Sequence, residues 1–67
     1  MSFRKLRGAI REKCGTQGAL ASKMRMHPST LSAKLAGRTE WTRQEIVKVS
    51  EVLQIPDEQI HEYFFNQ

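Results

Sequence analysis

The chain has 67 residues, 39% of them apolar and 27% charged, which suits one small globular domain over 1–67; a fold this short buries only about 60% of its unfolded surface and has scarce room for a catalytic cleft. The single cysteine, Cys14, excludes an internal disulfide and any zinc-spaced Cys/His motif, so no metal or cofactor is expected and a reducing, cytoplasmic setting fits. The net charge of +4 is uneven: residues 1–43 carry ten Lys/Arg against Glu12 and Glu40, whereas 44–67 carry Lys48 against five acids, so one half should attract a polyanion and the other should not.

In chain order, Phe3, Leu6 and Ile10 recur at three- and four-residue spacing and predict a first helix near 3–13, stopped by Gly15. Thr16 is a suitable N-cap for a second helix, whose inward stripe is Leu20, Ala21 and Met24. Pro28 suits the first turn of a third helix, where a missing N–H costs nothing; Leu31 and Leu35 face inward and Gly37 closes it. Thr42-Arg43-Gln44-Glu45 is a capping box, with Trp41 and Ile46 in the positions of a hydrophobic staple, and it opens a fourth helix carrying Ile46, Val49 and Leu53. Pro56-Asp57-Glu58 starts a fifth, with acids at its positive end and Ile60, Tyr63 and Phe64 along it. No apolar run approaches the ~20 residues of a membrane span, and no signal region follows the basic opening Met1–Lys5.

The second and third helices are each about two turns long, and Arg25-Met26-His27 is a break short enough to hold them as a helix-turn-helix. Ala21 is small where the two would cross, while Met26 and Leu31 pin the turn and the third helix to the core. Taking Leu31 as inward and stepping 100° per residue puts Ser29, Ser32, Ala33 and Ala36 on the outward face. Small residues there let a helix sit deep in a major groove, with hydroxyls to donate or accept and Ala33 to touch a thymine methyl. The free N–H groups of a helix N-terminus favour an anion, which makes Thr16 and Gln17 candidate phosphate contacts, joined by Arg38, Thr39 and Arg43 after the third helix. His27 flanks the start of the third helix, and His61 lies on another segment; no nucleophile-base pair is readable, so an enzyme is not expected.

The segments Gln17-Gly-Ala-Leu-Ala-Ser-Lys-Met and Ser29-Thr-Leu-Ser-Ala-Lys-Leu-Ala-Gly37, with Gln17, Ala21, Met24, Met26, Leu31 and Gly37 as matching positions, resemble the phage Cro and repressor helix-turn-helix family. The resemblance runs over roughly 5–65. It implies an all-α, five-helix, lambda-repressor-like DNA-binding domain that reads bases from Pro28, Ser29, Ser32 and Ala33 and grips phosphates through Thr16, Gln17, Lys34, Arg38, Thr39 and Arg43.

It also implies a transcriptional regulator on a pseudo-palindromic double-stranded operator, a homodimer formed in solution or only on DNA, with Ile60, Phe64 and Phe65 as candidate interface residues and half-sites about 10 bp apart. The setting would be the cytoplasm of a bacterial host. A 67-residue product lacking a second domain would fit a Cro-type role better than a repressor. The alternative is a protein-interaction module on the same fold, antitoxin-like, which predicts an apolar exposed face on the helix pair. Two positions depart from the family. Arg25 stands where a turn glycine is usual, and Lys34 stands where an apolar residue is common, its stem expected to cover Leu31 while its ammonium reaches outward.

Overall fold

The computed structural model describes residues 3–65. Five helices follow one another: α1 (Arg4–Cys14), α2 (Gln17–Met24), α3 (Pro28–Leu35), α4 (Arg43–Leu53) and, after a 3-10 turn at Asp57–Gln59, α5 (Ile60–Phe64); no strand occurs among the described residues. The apolar stripes read from the sequence converge on one core, in which Leu6, Ile10, Leu20, Leu31, Leu35 and Val49 are fully buried. Ala21 is buried as well, as the close packing of α2 on α3 requires. Aromatic rings close the core beside α5: Trp41 lies edge-on between Phe3 and Phe64, with centroids 6.4 and 5.3 Å away.

Local chemistry sets the helix boundaries. Thr16 Oγ1 accepts from the Ala19 N–H at 3.1 Å and opens α2. At α4 the capping box is complete, with the Glu45 N–H donating to Thr42 Oγ1 at 3.1 Å and the Thr42 N–H donating to Glu45 Oε1 at 2.8 Å. Four helices end by one device, a bond from an N–H to the carbonyl five residues back: Gly15 to Ile10, Met26 to Ala21, Arg38 to Ala33 and Ile55 to Ser50. Glycine supplies the positive φ at Gly15 and Gly37, but Arg25 (φ 56°) and Gln54 (φ 59°) supply it elsewhere.

The turn between α2 and α3 therefore takes a left-handed backbone at Arg25, a position that would favour glycine. A side chain in that region costs about 1–2 kcal/mol, and glycine gives back about 0.5–1 kcal/mol through the freedom of the unfolded chain. Arg25 is exposed, so Arg25→Gly is expected to raise stability by about 0.5–1 kcal/mol. The check is the urea midpoint, which should rise at unchanged slope.

Two expectations are corrected by the packing. Lys34 does not reach outward: it is 6% exposed, and its Nζ donates to the Glu40 carbonyl at 2.8 Å and lies 3.0 Å from Glu45 Oε1, with the Trp41 ring centroid 5.9 Å away. It turns inward because position 34 lies only 60° round the helix from Leu31, on the side where α4 brings a carboxylate. Phe64, expected at a subunit interface, is 3% exposed and belongs to the core. That leaves Phe65 exposed at 60%, and Ile60 half-buried.

Candidate nucleic-acid interface

Helix α3 is eight residues long, about 12 Å at 1.5 Å per residue, comparable with the width of a B-form major groove. Leu31, Lys34 and Leu35 anchor one side of it in the core. The other side presents Pro28, Ser29, Ser32 and Ala36 exposed and Ala33 half-buried. No large apolar residue breaks this face: the exposed large hydrophobics are Val47 at 49% and Phe65 at 60%, neither of them on α2 or α3.

The start of α3 is held by a cap that sequence reading placed only loosely. His27 Nδ1 accepts from the Ser29 backbone N–H at 3.1 Å and lies 2.7 Å from Ser29 Oγ. Because the N–H already requires a lone pair on Nδ1, the Ser29 hydroxyl is the donor in the second contact. Its proton is thereby committed, and what Ser29 offers outward is its oxygen as an acceptor, suited to the amino group of adenine or cytosine.

Around this face stand the candidate phosphate contacts. Thr16 and Gln17 are exposed at the N-terminus of α2, where the Thr16 oxygen is spent on the cap but its hydroxyl proton remains free to donate. Arg38 and Thr39 lie exposed in the connection after α3, and Arg43 lies exposed in the first turn of α4. Lys34 is withdrawn from this set, its ammonium being satisfied inside the protein. The Trp41 indole N–H is likewise buried away from any phosphate and has no acceptor among the described residues.

Charge is organised by pairing as well as by count. Burial pushes the Glu45 carboxyl up, but the Thr42 backbone N–H and the Lys34 ammonium outweigh it and hold the group below its ordinary value of 4.5. Lys5 pairs with Glu62 between α1 and α5, and Arg7 Nη2 donates to the Leu35 carbonyl at 2.9 Å, tying α1 to the last turn of α3. Among the described residues, no cluster of three or more His, Cys, Asp or Glu could hold a metal ion, and no helix is long and apolar enough to cross a membrane.

Five short helices around one core, with α2 and α3 joined through a three-residue turn in which Arg25 alone is left-handed, define a small all-helical domain with a helix-turn-helix. The chain belongs to the family described as Protein of unknown function (DUF739), whose model matches residues 1–67. Among solved structures it is similar to the solution structure of the modulator of repression (MOR) of the temperate bacteriophage TP901-1 from Lactococcus lactis. The two are 40% identical, the match covers 97% of this chain and 88% of that one, and the TM-score is 0.86. Comparison with curated protein sequences finds no match. The structural match gives the context of phage regulation without singling out the Cro and repressor proteins.

Proposed function

We propose that this protein is a phage transcriptional regulator acting in the bacterial cytoplasm, and that it works by placing α3 in the major groove of a pseudo-palindromic operator as a dimer. The observation that carries this reading is the character of the α3 face: small, polar, free of large apolar side chains, and flanked by exposed Gln17, Arg38 and Arg43. Such a face fits a groove lined by hydrogen-bonding base edges and phosphates. A surface made for another protein would centre on a large apolar or aromatic anchor. The structural neighbour's name, modulator of repression, supports a regulatory role.

A second reading has its own support. Phe3, Trp41, Ile46, Phe64 and Phe65, with Thr39 and Glu40 at one side, line a cavity of about 380 Å³ beside α5, and an exposed phenylalanine at the rim of a largely aromatic cavity is the kind of surface a second subunit or a protein partner covers. In the dimeric regulator this is the contact between subunits, with Phe65 the contributing residue. In a regulator acting through protein alone it would be the main surface.

Selection of sites from a random duplex library, repeated at several salt concentrations, separates the two. A recovered pseudo-palindrome supports the operator-binding regulator. Absence of any duplex affinity at low salt transfers the function to the apolar surface. Within the first reading, Arg43→Ala is expected to weaken binding to all sequences and lower the salt slope by about 1, whereas Ser29→Ala should change base preference and leave that slope in place. Equal behaviour of the two variants contradicts the assignment.

A further inference from the structure

Helix α1 carries Arg4, Arg7 and Arg11 at the spacing i, i+3, i+7, which places them within about 60° of one another on a single stripe. The core residues Leu6 and Ile10 lie at least 100° round from Arg4 and Arg11, with the half-buried Arg7 at the edge nearer the core, and the one acid of the helix, Glu12, lies about 100° round from Arg11. The lysines of α1 are occupied within the protein, Lys5 with Glu62 and Lys13 with the Gln54 side chain at 3.5 Å. Arg4 and Arg11 are exposed, and neither takes part in an ion pair among the described residues. Arg7 is fixed against the Leu35 carbonyl, so the stripe is attached to the end of the recognition helix itself.

The surface between these side chains is concave. Arg4, Arg7, Gly8 and Arg11 line a cleft of about 370 Å³. A second cleft of about 160 Å³, sharing Arg7 and Arg11, leads on to Thr16 and Gln17 at the N-terminus of α2. Gly8 leaves the floor of the first open, since a Cβ built there meets nothing within 4 Å. The two clefts lie side by side, sharing Arg7 and Arg11 in their walls, one toward the N-terminus of α2 and the other along α1.

We infer that Arg4 and Arg11, on either side of the anchored Arg7, form a second phosphodiester-binding site, which holds the DNA backbone flanking the base pairs read by α3. The inference rests on the DNA-binding reading above and extends its footprint past the helix-turn-helix. Guanidinium groups suit this ligand because their planar fork takes two phosphate oxygens at once, which an ammonium cannot do. A strand that touches Gln17 passes next over Arg11 and Arg7, and Arg4 follows about 10 Å further along the helix from Arg11.

The test compares four variants of the full chain on a duplex selected by the protein, across a salt series. Arg4→Ala/Arg11→Ala removes two phosphate contacts and is expected to lower the slope of log affinity against log salt by about 1.8, with base preference retained. Lys13→Ala/Lys48→Ala, which removes the same charge elsewhere, should keep most of the slope. Gly8→Glu, a carboxylate set in the open floor of the first cleft, is expected to bind about tenfold more weakly at low salt than the neutral Gly8→Gln. On a duplex trimmed to the base-read segment the difference between the unmodified chain and Arg4→Ala/Arg11→Ala should vanish.

A double arginine variant with the original slope, or one no worse than the lysine pair, overturns the inference while leaving the helix-turn-helix reading intact. Failure of the unmodified chain to bind any duplex sinks that reading first. Circular dichroism checks the fold, which these exposed positions should not disturb.

Discussion

Replacing Lys34 with alanine is expected to lower the unfolding free energy by about 3 kcal/mol, the largest stability effect of any charged position in the chain. Three losses combine. The buried aliphatic stem leaves a cavity, the Glu40 carbonyl loses its 2.8 Å donor, and Glu45 loses its 3.0 Å partner while still partly buried. A chain of this size has a total stability of about 3–10 kcal/mol, so the variant should lose a third or more of it, with a melting temperature lower by about 12–24 °C. Lys34→Met keeps most of the volume and should lose roughly half as much. A Lys34→Ala chain as stable as the original would mean that the ammonium reaches solvent and the packing described here is wrong.

The same pair sets an acid limit on stability. Glu45 is held below its ordinary pKa in the folded chain, so the stability it contributes is present above the unfolded value and is lost as the pH falls through the folded one. Urea midpoints should therefore decline on the acid side of the ordinary carboxylate range. Glu45→Gln and Lys34→Met should each flatten that decline. The first also keeps one arm of the capping box, because an amide oxygen can accept from the Thr42 N–H as the carboxylate does.

What could be read from the sequence was mostly what is local. The capping box, the staple positions, the Thr16 cap and the start of α3 at Pro28 depend on residues within four positions of one another, and all five helices stand close to where periodicity and caps put them. The long-range pairings were hidden. Lys34 looks like a solvated charge until Glu45, eleven residues on, is brought against it across the α3–α4 connection. Phe64 looks available to a partner until Trp41 closes over it. Among the site residues, His27 was placed beside α3, but its double contact with Ser29 needs the actual backbone turn. The arginines of α1 counted only toward the basic half of the chain, although their i, i+3, i+7 spacing was visible; what was missing was the cleft that joins Arg7 and Arg11 to the N-terminus of α2.

The substitution expected to change function most is Ser32→Glu. Ser32 is exposed at the middle of the α3 face, and glutamate is a better helix former than serine, so the fold and its stability should be unaffected. In a major groove the new carboxylate would meet base acceptors and phosphates with no cation to pair it, since the arginines lie to the side and Lys34 is committed within the protein. An unpaired charge desolvated at an interface costs several kcal/mol, and each 1.4 kcal/mol is a factor of ten. Duplex affinity should fall by at least about a hundredfold at every sequence tested, not through lost base preference but through exclusion of the helix from the groove. Contacts made through the Phe65 surface, such as self-association in the absence of DNA, should be unchanged, because Ser32 lies outside the residues that line that cavity. A Ser32→Glu chain that still binds duplex normally would place α3 outside the groove, and the arginine stripe of α1 would then have to carry the DNA by itself.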